Sequence, residues 1–138
     1  MTRAGGCLCG GIRYEAHGEP VAVLTCHCHW CQKVSGAPFL TFVGFDPSSV
    51  RWLKAEPAIY KSSETVDRGF CPTCGSTLSF ARPSHSVIAL MSGSLDDPDS
   101  INPERHCFTE HQNAWLSLSD GLPTHRRFPP GWEDREPK

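Results

Sequence analysis

A chain of 138 residues with a mass of 15.2 kDa is long enough for one domain and short for two. Its 13 lysines and arginines and 15 aspartates and glutamates give a formal charge of −2 and form no basic stripe, which argues against nucleic acid as a partner. No apolar run approaches the length of a bilayer span, and no hydrophobic secretory segment follows Met1, so we expect a soluble, cytoplasmic protein with no membrane partner.

Short segments rich in β-branched and aromatic residues, separated by turn residues about every ten positions, predict a mainly β domain with little helix. The expected helical content is one turn over residues 32–35. In chain order, the predicted strands cover residues 12–16, 21–25, 39–45, 50–53, 58–62, 67–70, 77–81, 87–92 and 105–109.

The domain boundary is predicted near residue 128. Residues 129–138 combine three prolines and several charges with a single aromatic side chain, which is too little apolar surface to repay ordering. We therefore expect one zinc-binding domain over residues 1–128 and a flexible carboxyl-terminal tail over residues 129–138.

Eight cysteines are the main anomaly of the composition. Seven lie in three tight clusters, which favours metal chelation, because disulfides between such close residues would be strained or would close very short loops. Zinc is the expected ion and iron is an alternative. The eighth, Cys107, is interpreted as a small core residue. The three clusters are Cys7 with Cys9, Cys26 with Cys28 and Cys31, and Cys71 with Cys74.

The first and third clusters are interpreted as one closed structural site. The sequence Cys71-Pro-Thr-Cys74-Gly75 is typical of a zinc knuckle, in which a turn points two sulfurs the same way and a glycine adopts the backbone angles needed after it. Cys7 and Cys9, followed by two glycines, offer the complementary pair of sulfurs. Other pairings among the three clusters remain open.

The second cluster is different, because Cys26, Cys28 and Cys31 supply three ligands and leave a fourth position open. An open position on zinc is typical of a reactive site. The alternative is a second structural zinc, closed by a fourth protein ligand. The available candidates are His27, His29, His85, His106 and His111.

Several neighbours of the second cluster have two interpretations each. Lys33 and Arg68 are either partners for the negative charge of a zinc–thiolate site or solvated surface residues. Trp30 either walls a substrate pocket or packs against the metal loop. The segment 35–38 either offers backbone N–H groups to a ligand carboxylate or forms a tight turn.

Four segments together resemble the glutathione-dependent formaldehyde-activating enzyme family, which also includes centromere protein V. The resemblance extends from residue 5 to about residue 128. The segments are Gly6-Cys-Leu-Cys-Gly-Gly-Ile-Arg-Tyr14, Cys26-His-Cys-His-Trp-Cys-Gln-Lys-Val-Ser-Gly-Ala-Pro-Phe39, Gly69-Phe-Cys-Pro-Thr-Cys-Gly-Ser76 and Gly93-Ser-Leu-Asp96.

The resemblance implies an Mss4-like, zinc-stabilised fold of small antiparallel sheets and two zinc sites, the second of which is partly occupied if a thiolate competes for its metal. Carried over position by position, four cysteines become structural zinc ligands and three become ligands of an open, catalytic zinc. The structural set is Cys7, Cys9, Cys71 and Cys74, and the catalytic set is Cys26, Cys28 and Cys31.

The implied function is that of a zinc-dependent carbon–sulfur lyase acting on a thiol–aldehyde adduct, such as S-hydroxymethylglutathione formed from glutathione and formaldehyde. Its partners would be a small-molecule thiol, glutathione or a similar compound, and an aldehyde. One alternative is a non-catalytic, zinc-stabilised protein-interaction module. A weaker alternative is nucleic-acid binding as in centromere protein V, against which the missing basic extension counts.

Overall fold

Short alternating segments form ten strands and one α-helix in residues 1–132, which are the residues that the computed structural model describes. The mainly β prediction is confirmed. The strands are β1 (Thr2–Gly6), β2 (Arg13–His17), β3 (Ala22–Cys26), β4 (Leu40–Phe45), β5 (Val50–Trp52), β6 (Ala58–Ser63), β7 (Val66–Phe70), β8 (Thr77–Arg82), β9 (Val87–Met91) and β10 (Arg105–Cys107), and the helix is α1 (His29–Ser35).

The strands form two sheets of unequal size. The small sheet is antiparallel with the order β1-β2-β5, and the large sheet has the order β10-β3-β4-β9-β8-β7-β6. Every pairing in the large sheet is antiparallel except that of β10 with β3. That parallel pairing places Cys107 beside Cys26.

The period-2 alternation of strands divides the centre of the large sheet into two apolar faces. One face, with Val23, Val43 and Leu90, packs with Tyr14 and Ala16 of the small sheet. The opposite face carries Leu24, Phe42 and Ala89 and packs with the second cysteine cluster. The two cores therefore lie on opposite sides of the same strands.

Two local elements differ from the sequence predictions. Strand β1 was not predicted from the sequence, because its two glycines are poor strand formers. The structure explains why position 5 is a glycine: β1 approaches β2 so closely that a Cβ on Gly5 would lie 2.3 Å from the Tyr14 hydroxyl. Helix α1 begins at His29, three residues earlier than the predicted turn, because the Cys28 sulfur caps it by accepting from the Cys31 N–H at 3.3 Å. It ends at Gly36, whose φ is 67°.

The segment Gly93–Asp96 connects the two sheets. Tyr14 is buried, and its hydroxyl lies 2.7 Å from Ser94 Oγ; burial raises the pKa of Tyr14 to about 12. Asp96 accepts two hydrogen bonds from the Arg13 guanidinium, one of them at 2.9 Å. This motif therefore holds β2 against the large sheet.

Residues 123–128 run beside β10 and extend that edge of the molecule. The backbone N–H of His106 donates to Pro123 at 2.9 Å, and the N–H of Phe108 donates to Arg127 at 3.0 Å. Of the predicted tail, Pro129 is buried and Trp132 lies against an apolar pocket, whereas residues 133–138 lie outside the described residues. No helix within residues 1–132 is both long and apolar enough to cross a membrane.

Candidate functional site: two cysteine clusters

In the folded protein the first and third cysteine clusters of the sequence meet and form one group, which is called the first cluster from here on. Cys7 and Cys9, at the end of β1, lie beside Cys71 and Cys74, after β7. The four sulfurs lie within 4.8 Å of one another. Two measured separations are 3.5 Å for Cys7–Cys9 and 3.8 Å for Cys9–Cys71. Tetrahedral zinc with Zn–S bonds of about 2.3 Å places its sulfurs about 3.8 Å apart, so this donor set fits the ion.

Both halves of the first cluster have the local geometry of a metal knuckle. The N–H of Gly10 donates to the Cys7 carbonyl at 3.1 Å and the N–H of Gly75 donates to the Cys71 carbonyl at 2.8 Å. Each of these glycines has a φ of 77°, a conformation that a side chain would disfavour. The turns leave backbone N–H groups directed at sulfur, as from Ile12 to Cys7 at 3.2 Å.

Ser76 links the two knuckles, and its role was not deduced from the sequence. Its hydroxyl accepts from the Leu8 N–H at 3.0 Å and lies 3.2 Å from the Cys74 sulfur. This hydroxyl and the backbone N–H of the same residue lower the pKa of Cys74 to about 5. The only sequence signal was its place directly after the Cys-x-x-Cys-Gly turn.

Cys9 has the opposite tendency within the same cluster. The Gly11 N–H lowers its pKa, but the sulfurs of Cys7 and Cys74 outweigh that donor and raise the pKa of Cys9 to about 11. Four thiolates packed this closely repel one another, so a divalent cation is the natural counter-charge. The charge of four thiolates and the distances between their sulfurs therefore both suit a divalent metal ion such as zinc.

The second cluster consists of Cys26 at the end of β3, Cys28 at the N-cap of α1 and Cys31 in its first turn. Their sulfurs also lie within 4.8 Å of one another, and all three residues are buried, with at most 4% exposed. No fourth His, Cys, Asp or Glu donor atom in the described part of the chain joins this group. The residues thus fit a metal bound through three sulfurs.

The five candidate histidines make other contacts. His27 Nε2 lies 2.9 Å from His106 Nδ1, and His106 Nε2 lies 2.7 Å from the Asp120 carboxylate. The ring of His29 stacks on that of His111 with their centroids 4.3 Å apart. The fifth, His85, lines an apolar pocket.

His27 and Cys107 are both buried beside the second cluster. Burial lowers the pKa of His27, with His106 contributing in the same direction, so its imidazole is held neutral. Cys107 belongs to the apolar cluster around Phe42 and Phe108 and is outside the three-sulfur group. That position agrees with its interpretation as a small core residue.

The loop after the second cluster forms a turn. The Gly36 N–H donates to the Gln32 carbonyl at 2.8 Å, and the Ala37 N–H donates to the Ser35 hydroxyl at 3.1 Å. Both groups are therefore already used inside the protein. The tight-turn interpretation of residues 35–38 fits this geometry better than a carboxylate-binding one.

Two cavities of different character adjoin the clusters. The smaller has an interior of about 80 Å³, lies on the apolar face of the large sheet and is bordered by Cys26, Cys107, Phe80, Phe108 and Trp132. The larger is an open cleft of about 680 Å³ bordered by Cys7, Cys74, Arg13, Ala37 and Asp96. The second cluster is thus adjacent to a small apolar pocket, and the first cluster is adjacent to an open cleft of mixed polar and apolar lining.

Comparison with known proteins agrees with the sequence resemblance. The model of the family described as glutathione-dependent formaldehyde-activating enzyme matches residues 2–111. A curated protein of Schizosaccharomyces pombe, named as an uncharacterized lyase, is 36% identical over 77 residues, which is 56% of this chain and 56% of that protein. This chain therefore aligns with little more than half of the relative's length.

A crystal structure of a Rhodobacter sphaeroides protein has the same fold. It superposes with a TM-score of 0.57 and 23% sequence identity, covering 72% of this chain and 91% of the other. At this identity the likeness concerns the fold alone.

Proposed function

Because the chain belongs to the glutathione-dependent formaldehyde-activating enzyme family, we propose that it is a metal-dependent carbon–sulfur lyase acting on adducts of a small thiol and an aldehyde. The first cysteine cluster serves as a structural zinc site and the second as the reactive one. The observation that carries this proposal is the group of three buried sulfurs, Cys26, Cys28 and Cys31, with no fourth protein ligand in residues 1–132.

The proposed reaction joins a thiol to an aldehyde. With formaldehyde, the sulfur of R–SH forms a bond to the carbon of H₂C=O, the C=O π bond breaks, and the thiol proton ends on oxygen to give R–S–CH₂OH. A bound zinc would supply Lewis acidity and would favour the thiolate form of the thiol at neutral pH.

The residues around the second cluster exclude water and limit the size of the molecule that can bind there. An interior of about 80 Å³ beside Cys26 accommodates a small carbonyl compound and is too small for a tripeptide. The open cleft of about 680 Å³ borders the first cluster and shares no lining residue with that pocket. We assign the aldehyde to the apolar pocket.

The experiment follows adduct formation by NMR exchange between formaldehyde and glutathione in the presence of zinc-loaded protein. We expect catalysed exchange with the wild type and loss of at least 100-fold with Cys28→Ser. Cys107→Ser changes a residue that borders the apolar pocket but lies outside the three-sulfur group, so it serves as the control for metal content. Metal analysis of the same samples should give two zinc ions per chain for the wild type and Cys107→Ser, and one for Cys28→Ser. Equal exchange rates with and without Cys28 would overturn the proposal.

The burial of the second cluster favours a second candidate, a non-catalytic, zinc-stabilised interaction module. Cys31 is 0% exposed and the adjoining pocket is small, as in a site built for stability. This candidate predicts that Cys28→Ser lowers the unfolding temperature while the wild type shows no thiol-dependent exchange. Catalysed exchange by the wild type would reject it.

A further inference from the structure

A groove of about 330 Å³ lies between α1 and strands β6 and β7. It shares Val34 with the open cleft beside the first cluster and shares no lining residue with the apolar pocket beside Cys26. Three of its residues, Trp30, Lys33 and Arg68, are ones that the sequence left with two interpretations each. The groove is lined by Trp30, Lys33, Val34, Tyr60, Ser62 and Arg68.

Arg68 is a buried cation with no counter-ion in residues 1–132. Its side chain is 4% exposed, its Nε donates to Ser62 Oγ at 3.0 Å, and its guanidinium lies 5.1 Å from the centre of the Phe80 ring. Its Nη2 has no hydrogen-bond partner, and no carboxylate in residues 1–132 lies within ion-pair distance of it. Burying a charge in this way is costly unless an anion completes the site.

Arg3 shows how the same fold treats a buried arginine that serves structure alone. It is 7% exposed, but its guanidinium donates to the carbonyls of Gly18 and Ser100 and forms an ion pair with Glu19 at 3.1 Å. Within the described part of the chain, Arg68 has neither the backbone carbonyl acceptors nor the carboxylate that Arg3 has. The difference points to a ligand as the missing partner of Arg68.

The rest of the groove suits an anion attached to a flat ring. Lys33 adds a second positive charge, and no aspartate or glutamate is among the lining residues. Trp30 and Tyr60 are large aromatic side chains that remain 45% and 61% exposed. Exposed aromatic faces next to cations are suited to stacking against a planar group.

We propose that this groove binds a small organic anion, in which a carboxylate or phosphate monoester contacts Arg68 and Lys33 while a flat ring stacks against Trp30 or Tyr60. The proposal is independent of the function of the cysteine clusters. A charge-assisted, bidentate contact would satisfy the buried guanidinium, and the ring would cover the exposed aromatic surface.

Titration with benzoate, phenyl phosphate, inorganic phosphate and neutral benzyl alcohol at fixed ionic strength tests the site. Binding is followed by the NMR shift of the Trp30 indole N–H and by tryptophan fluorescence. We expect saturable binding of benzoate or phenyl phosphate, and at least tenfold weaker binding of benzyl alcohol and of inorganic phosphate. Tighter binding of benzoate would identify a carboxylate ligand, and tighter binding of phenyl phosphate a phosphate ester.

Variants separate recognition from structure. Arg68→Met should weaken binding at least tenfold and abolish the rise in unfolding temperature that the bound anion gives to the wild type. Lys33→Gln, an exposed change, should weaken binding several-fold, whereas the matched control Lys54→Gln should leave it unchanged. If Arg68→Met does not fold, Lys33→Gln and Tyr60→Ala carry the test. Equal affinity for benzyl alcohol, or unchanged affinity in these variants, would overturn the proposal.

Discussion

At the scale of single residues, polar side chains outside the cysteine clusters decide how those clusters are held. Ser76 contacts both knuckles of the first cluster, whereas Ser94 and Asp96 hold the strand that leads away from it. None of the three belongs to the proposed ligand sets. Their contribution is to fix backbone segments that the sulfurs alone would leave free to move.

The Arg13–Asp96 ion pair should give stability a measurable pH dependence. Hydrogen bonding from Arg13 is the largest cause that lowers the pKa of Asp96 below its ordinary value of 3.8. The pair therefore stabilises the fold above that value, and its contribution is lost as the pH falls through the lower pKa of the folded state. Because Asp96 is half exposed, we expect Asp96→Asn to cost about 0.5 kcal/mol at neutral pH and almost nothing in acid.

Urea unfolding from about pH 7 to about pH 2.5 measures this dependence, using Asp99→Asn as the control. Asp99 is exposed and forms no ion pair within the described residues. A difference between wild type and Asp96→Asn that persists unchanged in acid would contradict the assignment of the shift to this pair.

At the scale of elements, close backbone approaches explain glycines that propensity alone would keep out of strands. In β7, a Cβ on Gly69 would lie 2.1 Å from Ser79 Oγ on β8 and 3.1 Å from Pro57. The register between these two strands shifts between Gly69 and Phe70, immediately before Cys71, the first cysteine of the second knuckle. The glycine thus permits the irregularity that carries the chain from β7 into the turn at Cys71.

We expect Gly69→Ala to destabilise the protein by about 1–3 kcal/mol, because the added methyl group has no room beside Ser79. Gly93→Ala is the matched control, since no heavy atom lies within 4 Å of its Cβ position, and it should change stability by less than about 0.5 kcal/mol. The double variant Gly69→Ala/Ser79→Ala should recover part of the loss. Urea midpoints measure all three, and equal effects of the two glycine substitutions would refute the steric explanation.

At the scale of the whole molecule, the first cysteine cluster joins parts of the chain that are distant in sequence. It connects the end of β1 in the small sheet to the end of β7 in the large one, and Cys9 and Cys71 are 62 positions apart. The central strands β3, β4 and β9 are held instead by their own ladder and by two apolar cores. Metal binding should therefore matter unequally across the fold.

We expect chelation of zinc to accelerate amide hydrogen exchange in residues 2–17 and 71–76 at least tenfold, with little change in β4 and β9. The reason is that residues 2–17 and 71–76 lose their cross-link between the sheets, whereas β4 and β9 contain none of the clustered cysteines. Zinc-loaded Cys9→Ser should reproduce the pattern, whereas zinc-loaded Cys107→Ser should not. Uniform acceleration in every strand would show that the ion stabilises the fold globally rather than locally.

Strand alternation and turn residues were enough to predict nine of the ten strands in outline, because a strand's buried face leaves a period of two in the sequence. The exception is β1, whose residues have little intrinsic strand propensity and form a strand because they pair with β2. Cysteine spacing likewise divided the seven clustered residues into three local clusters, whereas the fold decided that Cys7 and Cys9 join Cys71 and Cys74. Spacing sufficed for each local cluster because its neighbouring cysteines are only two or three positions apart.

The sequence by itself determined most of the strand pattern, the family and the three local clusters of cysteines, since these depend on local spacing that any fold of the chain must respect. Tertiary structure alone decided that the second cluster faces a small apolar pocket, that no candidate histidine joins its three sulfurs, and that Arg68 is buried with no carboxylate partner in residues 1–132. Such properties depend on which distant strands become neighbours and on what surface they exclude from water. No local pattern of residues records that outcome.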